Sequence, residues 1–146
     1  MKTNFLKIKL LPLLLFALGM FTLASCDKDN DTTPVNIKTK IVGTWDFTSF
    51  KVGTSEYMGT IVDSAYVTFE ALQGDKGDFE QTITYVDGET EAIAGEYQVD
   101  EANKAVKMTA DGETQVLKIT QIGNTNMNWT GTQDGHQVVA KTLRRD

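Results

Sequence analysis

Between residues 43 and 143 apolar and polar side chains alternate in short runs, and Gly, Asn and Asp interrupt those runs at close intervals. Alternation with period two marks strands that bury one face, and no stretch of useful length carries the 3.6-residue period of a helix. The pattern predicts strands at 43–52, 61–71, 77–86, 89–99, 104–110, 113–122, 126–133 and 136–143. Asp87-Gly88, Asp111-Gly112, Gly123-Asn124 and Asp134-Gly135 are hairpin signals between them. Only the first connection, 53–60, is long.

Residues that face each other across a ladder share a side of the sheet, so parity constrains each hairpin. An even turn at Asp111-Gly112 puts Val106 and Met108 on one face with Leu117 and Ile119, and a two-residue turn at Asp134-Gly135 sets Trp129 opposite Ala140. A four-residue turn over 100–103 sets Tyr97 opposite Val106 and Gly95 opposite Met108. Two hairpins need an odd loop: a bulged three-residue turn ending on Gly88, and a turn over 123–125 that brings Ile119 beside Trp129.

An even number of meandering strands lets the last pair antiparallel with the first, which removes both sheet edges. The expected fold is therefore all-β, a single eight-stranded antiparallel up-and-down β-barrel. Its inward face would carry Trp45, Phe47, Val67, Phe69, Phe79, Ile83, Tyr85, Ile93, Tyr97, Val106, Met108, Leu117, Ile119, Met127, Trp129 and Val138. A barrel of this size is just wide enough to be filled by its own side chains or to hold one small ligand. For the second case the expected lining is Phe47, Phe69, Phe79, Tyr85, Tyr97, Met108 and Trp129.

The first 25 residues follow another logic. Lys2, Lys7 and Lys9 precede an apolar run that ends in Leu23, Ala24, Ser25 and Cys26, the layout of a secretory leader too short to span a bilayer. The expected organisation is a cleaved leader over 1–25, a lipidated N-terminus and flexible acidic tether over 26–40, and the barrel over 41–146. Loss of the leader removes three lysines and no acid, so 14 Lys and Arg fall to 11 against 20 Asp and Glu, a formal balance of −9. An acidic surface argues against nucleic acid or anionic phospholipid headgroups as partners. Cys26 is the single cysteine, so no intrachain disulfide forms. Asp27, Asp29 and Asp31 resemble the start of a calcium loop, but Thr32 stands where glycine is required and Lys38 where the closing glutamate is required.

The quartet Leu23 to Cys26 resembles the bacterial lipobox, which implies cleavage before Cys26, acylation of its sulfur and a stable membrane anchor. The acidic residues that follow resemble the export signal of surface lipoproteins in Bacteroidetes-type bacteria, implying a cell-envelope location at the outer membrane. Gly43, Thr44 and Trp45 resemble the Gly-x-Trp signature of lipocalins and other calycins, with Arg144 or Arg145 in the place of the arginine that covers the tryptophan. This resemblance, to the short lipocalin-like domains of bacterial lipoproteins, implies that Trp45 and one of these arginines plug the closed end of the barrel. Three departures stand out: no helix-period segment follows the last strand, the second lipocalin motif is not evident, and the domain is shorter than a typical lipocalin, which argues against a deep calyx.

Catalytic chemistry finds little material. His136 is the lone histidine, with neither a second imidazole nor a thiol in the domain to build a metal site or an activated nucleophile. Glu89, Glu91 and Glu96 are expected on a solvated face. The sequence points to a non-enzymatic protein with no cofactor and no metal. It is either a carrier of a small apolar ligand, or a solid barrel binding a protein or glycan through loops 53–60 and 72–76. An enclosed apolar cavity of roughly 300 Å³ or more favours the carrier; a solidly packed interior favours the interaction module.

Overall fold

The computed structural model describes residues 36–146; Cys26, the leader and the start of the tether lie outside them. A short helix α1 (Ile37–Ile41) leads into β1 (Gly43–Val52), and a two-residue strand β2 (Ser55–Glu56) folds back on it. Seven further strands follow: β3 (Val62–Phe69), β4 (Lys76–Tyr85), β5 (Thr90–Asp100), β6 (Ala105–Ala110), β7 (Glu113–Ile122), β8 (Asn126–Gln133) and β9 (His136–Arg144). Every consecutive pair from β3 to β9 is antiparallel, β1 pairs with β3, and β9 returns to β1 through contacts from Trp45 with Arg144 to Val52 with Val138. The expected eight-stranded closed barrel is present, with β2 as a ninth strand on its rim.

Turn chemistry accounts for most of the register. Asp111-Gly112 and Asp134-Gly135 have φ values of 51° and 82°, and 48° and 78°, the left-handed pair that a two-residue hairpin requires. Val106 pairs with Leu117 and Trp129 with Ala140, as parity demands. Gly88, at φ 87°, closes the three-residue turn after Tyr85.

Two registers depart from expectation. The β5–β6 turn lies at 101–104, so Tyr97 faces Met108 and Val99 faces Val106. Asp100 stays in the strand because its carboxylate accepts from Asn103 N at 3.1 Å and Asn103 Nδ2 at 2.8 Å, closing the turn one residue later. The slip is two residues and therefore leaves the inward face unchanged. Ile119 does lie beside Trp129, but the parity comes from a bulge between Ile119 and Gln121 and not from an odd turn.

Similar irregularities between Phe47 and Ser49 and between Val62 and Ser64 turn Phe50 and Val62 inward. Phe50 is 6% exposed and Val62 4%. Residues 37–40, assigned to the tether on polarity, belong instead to α1. Ile37 and Ile41, one turn apart on the same helix face, are fully buried. Asn36 Oδ1 caps the helix by accepting from Thr39 N at 3.1 Å, and Glu101 accepts from Lys38 N at 2.8 Å.

One apolar core runs the length of the barrel, from Ile37 and Trp45 at the α1 end to Phe50 and Val62 at the other. All the residues expected inward are buried except Tyr85, which is partly exposed at the rim.

Candidate functional site

The two ends of the barrel differ. At the α1 end, the Trp45 indole donates from Nε1 to the Ile41 carbonyl at 2.7 Å, and the Arg144 guanidinium lies 4.4 Å from the ring centroid. Arg144 also donates from Nη1 to Val42 O at 2.8 Å, from Nε to Asn124 O at 2.8 Å, and from Nη2 to Lys40 O. It thereby ties α1 and the β7–β8 turn to the base of β1. Gly43 makes room for it: a Cβ there would stand 2.7 Å from Arg144 Nη1, and its φ is 127°. Arg145 points elsewhere, pairing with Asp46 and lying 4.3 Å from the Tyr66 ring on the outer face. Of the two candidate arginines, Arg144 is the one over Trp45.

At the opposite end, residues 53–61 fold across the rim. The Glu56 carboxylate fastens this loop, accepting from Ser49 Oγ at 2.6 Å, Phe50 N at 2.8 Å and Met58 N at 3.2 Å. Burial alone would raise its pKa. The three hydrogen bonds and the charge of Lys51 outweigh that and hold it below the usual carboxylate value. Tyr57 packs edge-on against Phe50 at 6.1 Å, and its carbonyl receives the amides of Thr60, Ile61 and Val62.

Beneath this loop lies an apolar cleft lined by Phe47, Phe50, Met58, Val62, Ala65, Gln81 and Ile83. Its free volume is about 20 Å³, room for roughly one water molecule. Trp129 backs the cleft through ring contacts with Phe47 at 5.9 Å and Phe50 at 6.3 Å.

Among the seven residues expected to line a ligand, only Phe47 borders the cleft directly. Phe79 and Met108 are core residues. Phe69 and Tyr97 meet edge to face at 4.9 Å toward the closed end, where Tyr97 donates to Glu70 O at 2.6 Å. Burial, with Glu70 and Asp78 nearby, pushes the Tyr97 phenol up to about 12. Tyr85 sits at the rim and donates to Glu91 Oε2 at 2.7 Å; burial first, then this carboxylate, raises its pKa.

Glu91 is therefore not on the solvated face, because it shares its side of β5 with Ile93 and Tyr97. Of the cleft residues that were not anticipated as lining, Phe50 and Val62 follow from the bulges, whereas Ala65 keeps the regular parity of Val67 and Phe69. Their signal was present in the spacing: Phe47 and Phe50, Val62 and Ala65, and Ile119 and Ile122 are each three apart, an interval that an unbroken strand cannot bury on one face.

A second concavity, about 330 Å³, lies on the outer wall and is lined by Lys76, Glu96, Tyr97, Gln98, Lys107, Thr109 and Thr114. Among the described residues no group of three or more His, Cys, Asp or Glu side chains could hold a metal ion, and no helix is long and apolar enough to cross a membrane.

The barrel has clear structural counterparts. The tryptamine complex of the amine-binding protein of Rhodnius prolixus superposes with a TM-score of 0.62 at 14% identity, over 84% of this chain and 72% of that one. Japanin from Rhipicephalus appendiculatus, bound to cholesterol, gives 0.53 at 11%, over 70% and 74%. A lipocalin-like protein from Bacteroides uniformis gives 0.52 at 9%, over 73% and 99%. No curated protein sequence matches the chain significantly. The family model for the lipocalin-like domain matches residues 41–129, more than half of the sequence. With its closed barrel, the chain belongs to the lipocalin-like domain family.

Proposed function

We propose that this domain is a non-enzymatic binding protein that takes a small apolar molecule at the open end of the barrel, under the loop of residues 53–61. The apolar cleft beneath that loop carries the reading: six of its seven lining residues are apolar. Its volume of about 20 Å³ falls far below the roughly 300 Å³ of an ordinary ligand pocket. Binding therefore requires the loop to lift and Met58 to leave the cleft. The latch at Glu56 and the Tyr57–Phe50 contact are what such a ligand works against. The Rhodnius and Rhipicephalus counterparts, held with tryptamine and cholesterol, support a barrel used in this way.

The test is native mass spectrometry of protein purified from its own cells, combined with titration of small hydrocarbons followed by Trp129 fluorescence. Binding should perturb the emission, and an Ala65→Leu substitution that fills the cleft without adding a fluorophore should abolish the response. Absence of any adduct, with no response to any probe, refutes the reading.

The outer groove favours a second reading. Its lysines, glutamate, amide and hydroxyls form a polar concavity suited to a glycan or a polar peptide, as a solid-core interaction module would need. Lys107→Glu with Thr109→Val should then abolish partner capture while leaving hydrocarbon binding intact.

Anchoring is part of the same proposal. Acylated Cys26 would hold the domain at the outer membrane of a bacterial envelope, with membrane contact through the lipid alone. A Cys26→Ala variant should lose acyl labelling and move from the detergent phase to the aqueous phase. Unchanged partitioning refutes the lipoprotein assignment.

A further inference from the structure

The inward face of the open half is not uniformly apolar. Gln133, the last residue of β8, is 2% exposed, and its Nε2 is buried without a hydrogen-bond partner among the described residues. It alternates with the buried Met127 and Trp129, so it shares their inward face. Gln81, 6% exposed, is the one polar residue lining the cleft.

The two glutamines stand on opposite walls, β4 and β8 being four strands apart around the ring. The loop over the mouth spans between them; Gln81 borders the cleft and Gln133 lies beyond its present lining, so a ligand meets Gln133 only once the loop has lifted. Near Gln133 its base is held by Gly53 N donating to Gln137 O at 2.8 Å, and near Gln81 it ends at Met58 and Val62, both of which line the cleft. A buried donor with no acceptor is costly, and native proteins seldom retain one without a use. The cost disappears when a ligand brings an acceptor to it.

We infer that the ligand of this barrel is an apolar molecule carrying a neutral hydrogen-bond acceptor, a carbonyl or a hydroxyl, which Gln133 Nε2 recognises. The inference rests on the ligand-binding reading above and adds the chemical class. An anionic acceptor such as a fatty-acid carboxylate is disfavoured, because Glu91 lies on the same inward face and like charges repel in a low-dielectric interior. Gln81 is the candidate for a second polar contact on the facing wall.

The experiment uses the chain from residue 26 onward carrying Cys26→Ala, with three probes of equal ring size: cyclohexane, cyclohexanone and cyclohexanecarboxylate. Affinities are measured by Trp129 fluorescence and calorimetry for the parent, Gln133→Leu and Gln81→Leu. The ketone-to-hydrocarbon affinity ratio should fall at least tenfold in Gln133→Leu while cyclohexane binding is kept. The carboxylate should be the weakest probe for the parent.

Gln133→Leu should also raise the apo melting temperature, since it removes an unpaired buried amide, which guards against a folding artefact. If cyclohexane binds but the ratio is unchanged in Gln133→Leu, the inference fails and the ligand-binding reading stands; a melting temperature that does not rise shows that the amide is already paired in the apo protein, by a buried water, and overturns the inference as well. If no probe binds at all, both fail together.

Discussion

Replacing Arg144 with alanine removes the contact that joins three separate pieces of the closed end. The guanidinium stacks 4.4 Å over Trp45 and donates to the carbonyls of Lys40, Val42 and Asn124. The stack contributes about 0.5–2 kcal/mol. A charged hydrogen bond contributes up to about 3 kcal/mol when fully buried. These three are exposed or only partly buried, so water replaces most of each, and about 0.5–1 kcal/mol apiece is the appropriate scale. The loss should total about 2–5 kcal/mol, a large share of the ~5–15 kcal/mol typical of a domain.

Urea unfolding of the Cys26→Ala chain, followed by tryptophan emission, measures it. The native baseline should shift to the red as Trp45 gains solvent. Arg144→Lys separates charge from geometry: an ammonium can sit over the ring but cannot span three carbonyls, so it should recover less than half of the loss. The reasoning is refuted if Arg144→Ala costs under about 0.5 kcal/mol, or if lysine restores full stability. Arg145→Ala is the control, since its pair with Asp46 is solvent-exposed and should be near neutral.

Glu56 makes the rim loop sensitive to acid. Its folded pKa lies below the ordinary 4.5, so its contribution is complete above that value and is lost as pH falls through the lowered one. Hydrogen exchange at the Phe50 and Met58 amides, corrected for intrinsic rates, should accelerate below about pH 4.5 in the parent and show no such step in Glu56→Gln; a step that persists in the variant removes Glu56 as its cause. Gly95→Ala places a Cβ 2.1 Å from Thr109 O and 2.9 Å from Phe79 Cε1, so it should cost more than about 3 kcal/mol or prevent folding. Gly131→Ala meets nothing nearer than 3.6 Å and should cost under about 1 kcal/mol in the same denaturation assay; equal costs would show that β-strand propensity and not the clash governs both.

Strand content, order and barrel closure were legible because they depend on local quantities: period-two alternation, Asp-Gly turns that dictate hairpin length, and an even strand count. The pairing of Trp45 with an arginine just past the last strand was legible as a resemblance, but two adjacent arginines have opposite parity. Only the closed register, with Trp45 facing Arg144, selects between them.

The cleft was harder to see. Its lining depends on bulges in β1 and β3 that shift parity within a strand, and a bulge is decided by what the neighbouring strand can pair with. Burial of Ile37 and Ile41 was hidden for a similar reason. Residues 37–40, half of them lysine, read as tether until the barrel end offers the segment a surface and Trp45 offers the Ile41 carbonyl a donor.

The sequence by itself thus determined an acidic all-β barrel behind a lipobox-like cysteine, since composition, periodicity and turn residues act over a few positions. Tertiary structure alone decided which aromatics meet, how little space remains among them, and that Gln133 Nε2 is buried without a hydrogen-bond partner among the described residues. Those outcomes depend on how residues distant in sequence pack together, which no local pattern encodes.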